Sequence, residues 1–215
     1  LVSLDAYYGT AGVVKFQPSA VLVTETGVFQ GGLECRKILE KDWYGWGNDT
    51  DPDSSVTMDY EMYDLTISYT RPLSRTFHFT GGLQGRFSTV FNREPGALWD
   101  QSPGEVFDET FTGGLFGEVT AVFPAPMDGD LLLQTRGFFQ EGQVSYSGIT
   151  GRGRIQARPW NGGEIALGGR IHRHFNTAET PIPYTSGIGA NENFRGFSDF
   201  RFTGSVWAIT QLEVR

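Results

Sequence analysis

Residues 75–91, RTFHFTGGLQGRFSTVF, restrict what this chain can become more than any other stretch. Phe77, Phe79, Gly81, Leu83, Gly85, Phe87, Thr89 and Phe91 fall on one face of an extended chain. Thr76, His78, Thr80, Gly82, Gln84, Arg86 and Ser88 fall on the other. Strict alternation of this kind predicts one strand with two chemically different faces. It also runs well past the ~5–6 residues usual in soluble sheets. Of the 215 residues 29 are glycine and 14% aromatic, while only 39% are hydrophobic. That is lean for a soluble core, but it suits long strands packed side by side with rings at interfaces.

Comparable segments recur along the chain. Residues 11–23 and 27–37 read as two strands around Thr24–Gly27, with Pro18 at an edge or bulge position. Residues 56–70 alternate through Met58, Tyr60 and Met62, then through Leu65, Ile67 and Tyr69 in the opposite phase, which predicts a β-bulge at Tyr63. Further strands are expected over 107–123, 131–146, 151–159, 164–175 and the alternating segment at the chain's end, about nine in all. The connections at Arg71–Ser74, Pro124–Asp130 and Asn161–Gly163 are short and expected on the periplasmic side, and the link at Ser147–Thr150 is expected to be an external loop shorter than its neighbours. Those at 38–55, 92–105 and 176–200 are long. Short periplasmic turns and long external loops are the habit of outer-membrane barrels.

Composition removes other classes. A net charge of −8 without a basic block argues against nucleic acid. The single cysteine, Cys35, excludes an internal disulfide and any cysteine-based metal cluster, and reads as a small apolar residue. No run approaches the ~18 apolar residues of a membrane helix, but a spanning strand needs only ~9–11 residues with one apolar face. Asp49, Asp51 and Asp53 lack the spacing of a calcium loop, with Pro52 inside it. Gly-x-Ser-x-Gly is absent, and Gly151–Arg154 lies on a strand rather than at a helix start, so neither a nucleophile elbow nor a phosphate loop is present. No enzyme activity and no cofactor are expected.

Two strands carry a charged face. Arg152, Arg154, Gln156 and Arg158 alternate with small or apolar residues in 151–159, and Glu164, Arg170, His172 and His174 do so in 164–175. Charge facing lipid costs ~2–4 kcal/mol at mid-bilayer, so these faces must look into a wet lumen. Arg152, Arg154, Arg158 and Arg170 then form either a solvated wall paired with acids such as Glu118 and Glu213, or a basic patch that steers an acidic solute. His172 and His174 share a face, but no third metal ligand is identifiable, so they read as wall histidines.

The final segment, Asn191–Arg215, combines the loop Phe194-Arg195-Gly196-Phe197, then Phe202-x-Gly204, with a strand ending Leu212-Glu213-Val214-Arg215. With Trp43-Tyr44-Gly45-Trp46-Gly47-Asn48-Asp49-Thr50, it resembles the BamA/TamA-type superfamily, the outer-membrane assembly and translocation barrels of the bacterial surface antigen family. Phe194 stands where that family usually has valine. The resemblance implies an arginine, here Arg195, on a loop folded into the lumen as a latch against an acidic residue of the wall, with Glu213 and Glu118 the candidates. It also implies about sixteen strands in a complete barrel, preceded by POTRA domains.

The expectation is therefore an all-β, transmembrane antiparallel β-barrel in which residues 1–215 form one domain, incomplete at one or both ends. Its implied place is the outer membrane of a Gram-negative bacterium or of an organelle of bacterial descent. Its implied partners are the lipid bilayer, unfolded outer-membrane or secreted polypeptides, and accessory periplasmic proteins. A passive porin, a barrel carrying an exported or enzymatic domain, and a soluble lipocalin-like barrel are the alternatives.

Overall fold

A computed structural model describes residues 1–8, 13–43, 55–92, 109–125, 129–160, 163–175, 187–188, 202–203 and 205–214. Ten strands form one antiparallel sheet. They are β1 (Val2–Tyr8), β2 (Val13–Val23), β3 (Val28–Trp43), β4 (Val56–Pro72), β5 (Phe77–Phe91), β6 (Glu109–Ala125), β7 (Gly129–Gly142), β8 (Tyr146–Trp160), β9 (Gly163–Phe175) and β12 (Val206–Val214). Two-residue strands β10 (Gly187–Ile188) and β11 (Phe202–Thr203) pair with each other. Every strand of the sheet lies beside its neighbour in sequence, except that β12 follows β9. Among the described residues there are no helices, and β1 and β12 remain the two edges of an unclosed sheet.

A single sheet without a second layer buries side chains only by curling over its own face. This one does. Ile38 of β3, Val56, Met58, Tyr60 and Met62 of β4, Val90 of β5, Val144 of the connection after β7 and Tyr146 at the start of β8 form one buried cluster, with Phe138 of β7 packed against it. In a flat sheet β4 and β8 would stand roughly 19 Å apart. The opposite, convex face is apolar and bare. Leu65, Ile67, Phe77, Phe79, Leu83, Phe111, Leu115, Phe139, Leu167, Ile171 and Leu212 are all exposed there. Buried positions of the concave face include Gln84, Ser88, Thr110, Thr112, Gln140, His172 and His174. Outside the apolar cluster, the apolar face points outward and the polar face inward, the orientation expected for the charged faces of β8 and β9.

Several expectations need correction. The sheet has ten strands rather than nine, because residues 2–8 pair with β2 in register from Val2 opposite Ala20 to Tyr8 opposite Val14. β4 has no bulge at Tyr63: its ladders with β3 and β5 run through that residue without a shift. The apolar residues simply change face, from inward at Met58, Tyr60 and Met62 to outward at Leu65 and Ile67. The bulge in this region belongs to β3, between Ile38 and Lys41. The short link placed at Ser147–Thr150 lies inside β8, and the chain turns instead at 143–145. β3 continues to Trp43, taking in the first six residues of the predicted long loop. Pro18 stands where the β2–β3 ladder skips Gln17 and Pro18, the tolerated place for a residue without an N–H.

Candidate functional sites on the concave face

Curling brings three groups together on the inner wall. The first is a polar bridge at mid-height. Asp64 accepts from Gln84 Nε2 at 2.7 Å and 2.8 Å and from Arg86 Nε at 2.8 Å. These residues lie on β4 and β5, with Asp64 directly across the ladder from Arg86. Arg86 also lies beside Tyr146 of β8. From β7, Arg136 donates to Gln84 Oε1 at 3.4 Å and covers the Phe116 ring at 4.1 Å. Glu118 stands opposite Arg136 on the β6–β7 ladder. A carboxylate holding a guanidinium and an amide at once is satisfied on both oxygens, which permits it to be largely buried.

The second group is an aromatic and histidine cluster near the 143–145 turn. His172 and His174 are buried with ring centres 4.4 Å apart. Trp207 of β12 stacks on His172 at 5.5 Å, and Phe138 lies 5.7 Å from His174 and 6.1 Å from Tyr146. Gly148 makes room for that ring, since a Cβ there would stand 2.6 Å from Phe138 Cζ. His172 Nδ1 hydrogen-bonds Thr150 Oγ1 at 2.7 Å. Among the described residues no group of three or more His, Cys, Asp and Glu could hold a metal ion.

The third group is the basic wall. Arg152, Arg154 and Arg170 line a cavity of about 460 Å³ with Gln211 and Glu213 of β12. Arg158 is displaced from it. It lies 3.9 Å from Glu164, which also stands 3.9 Å from Arg154 and accepts from Gln156 Nε2 at 2.6 Å. Three of the four arginines singled out by alternation therefore converge, and Glu213 joins them. At the other end of the sheet Glu34 takes Lys15 at 3.0 Å and Arg36. Phe194, Arg195, Gly196 and Phe197 lie outside the described residues, as do Asp49, Asp51 and Asp53.

Alternation revealed the inward arginines and histidines but not what they meet. Asp64, Gln84 and Arg86 had a signal in their shared inward parity. Tyr146, Phe138 and Trp207 had only an apolar character that alternation alone assigns to either face. Comparison of the chain with protein-family models, with curated proteins and with solved structures finds no match.

Proposed function

We propose that this chain forms wall strands of an outer-membrane β-barrel that assists the insertion of outer-membrane proteins or the translocation of polypeptides. One observation carries the membrane reading: exposed leucines, isoleucines and phenylalanines cover the convex face, while the concave one, beyond its apolar cluster at one end, holds charged and amide side chains such as Asp64, Gln84, Arg86 and Arg136. In water that convex face is an aggregation surface far larger than soluble monomers tolerate. In lipid it is the stable face, and the curled sheet completes itself as a barrel because a bilayer leaves no strand edge unpaired. The soluble lipocalin-like alternative requires the reverse orientation and is disfavoured by it. The short connections at 24–27, 73–76, 126–128 and 161–162 then face the periplasm, and the long ones face outward.

The assembly role rests on the resemblance at Phe194–Phe197 and Trp43–Thr50. In this reading a weakly paired seam offers unpaired N–H and C=O groups that template incoming strands, and Arg195 latches its loop to an inner-wall carboxylate. The test is reconstitution of the full-length protein into vesicles with a urea-unfolded outer-membrane protein as client. Acceleration of client insertion, reduced by Arg195→Ala, is the expected result. A porin is the second reading, favoured by the arginine-lined cavity on the inner wall. Ion conductance without client insertion, indifferent to Arg195→Ala, would establish it instead.

A further inference from the structure

We propose that the concave face of β8, β9 and β12 holds a binding site for a small, soluble, multivalent anion carrying phosphate or carboxylate groups, gripped by Arg152, Arg154 and Arg170. The site requires only the folded sheet and stands whether or not the protein assembles polypeptides.

Charge is the first argument. The cavity is lined by three arginines against one glutamate, Glu213, a local excess of two positive charges in a chain whose net charge is −8. Just outside the cavity, Glu164 stands 3.9 Å from both Arg158 and Arg154, and the pair Arg158 and Glu164 adds no net charge. Placement is the second argument. Arg152 and Arg170 stand directly opposite each other on the β8–β9 ladder. Like charges directly opposed on a sheet face are unfavourable. A dianion between two guanidinium groups turns that repulsion into two charge-assisted forks, the geometry for which arginine is suited better than lysine.

Space is the third argument. Gly168 shares the inward parity of Arg170 and lines the cavity, and a Cβ there would meet nothing closer than Gly153 O at 3.8 Å. The missing side chain leaves an open floor between the arginines. About 460 Å³ is within the range of small-molecule sites and exceeds what a bare monovalent ion needs.

The experiment is isothermal titration of the full-length, detergent-folded protein with inorganic pyrophosphate and, separately, citrate at low ionic strength. Saturable binding of one anion per chain is expected for at least one probe. Arg152→Gln and Arg170→Gln should each weaken it by about tenfold or more, the loss of one charge-assisted contact. Gly168→Ile should weaken it comparably by filling the floor without changing any charge. Arg173→Gln removes an exposed arginine from the opposite face of β9 and should leave the affinity unchanged. Circular dichroism and electrophoretic mobility establish that each variant is folded; if a glutamine variant fails, Gly168→Ile and Arg152→Lys carry the test. The absence of saturable binding to the folded wild type would overturn the proposal. So would equal weakening by Arg173→Gln, which means diffuse attraction, or a response to anionic lipid but to neither soluble probe.

Discussion

The two halves of β4 have opposite chemistry on the same two faces. From Val56 to Met62 the inward residues are Val56, Met58, Tyr60 and Met62, all buried, and the outward ones are Thr57, Asp59 and Glu61. From Tyr63 to Thr70 the inward residues are Asp64, Thr66, Ser68 and Thr70, and Tyr63, Leu65 and Ile67 are outward and exposed. The strand keeps one register throughout, so the exchange is not a backbone event. It is a change of surroundings along the strand's length. The first half is polar outside and apolar and self-packed inside; the second is apolar outside and polar inside. Lys37, 2.8 Å from Glu61, adds an ion pair to the outward face of the first half. Under the membrane reading, β4 leaves the bilayer near Tyr63 and continues above it as a small water-exposed core.

The strongest challenge to this contrast is Tyr60→Ala. Tyr60 is 2% exposed in the dry cluster, and its truncation should cost about 3–5 kcal/mol in urea unfolding of vesicle-embedded protein. A small loss would mean that the inner cluster is loosely packed or wet. Next comes Ile67→Lys, on the outward face of the second half and already 52% exposed. It should cost about 2–4 kcal/mol if that face meets mid-bilayer lipid, whereas an exposed site in water would register almost nothing. A neutral result would remove the membrane reading. Asp64→Ala strips the shared acceptor from Gln84 and Arg86, and should cost about 2 kcal/mol by leaving a half-buried guanidinium short of one partner. Restoring stability with Arg86→Leu in the same chain would isolate that coupling in a double-mutant cycle. Glu61→Gln should change nothing measurable, since its ion pair with Lys37 is solvent-exposed. Set beside Ile67→Lys, six residues away on the same face, it locates the boundary between the two media.

The arginine cavity and the histidine cluster offer a second lesson on what alternation reveals. Arg152, Arg154 and Arg170 were legible because a charge on an otherwise small or apolar strand can face only one way. Their meeting was not, because it depends on the register that sets Arg152 opposite Arg170 and on β12 delivering Glu213 across thirty residues of connection. In sequence Trp207 shares its strand's parity with the polar Ser205, Gln211 and Glu213. In the folded sheet it stacks on His172, directly across the ladder. The missed turn at 143–145 has a similar cause: Gly142 and Gln143 carry no proline or Asn-Gly signal to separate them from the strand before.

Period-two alternation is a local property, imposed by the geometry of an extended chain. The amino-acid sequence alone therefore settled that this protein is built from long antiparallel strands with an apolar and a polar side, and placed most of their centres. Alternation has no sign, however, and carries no information on which side is enclosed. Only the curl of the sheet, which hides one face against itself and leaves the other bare, decided that the polar side is the interior and that the buried end of β4 reverses the rule. Burial is a relation between distant strands, and no single strand encodes it.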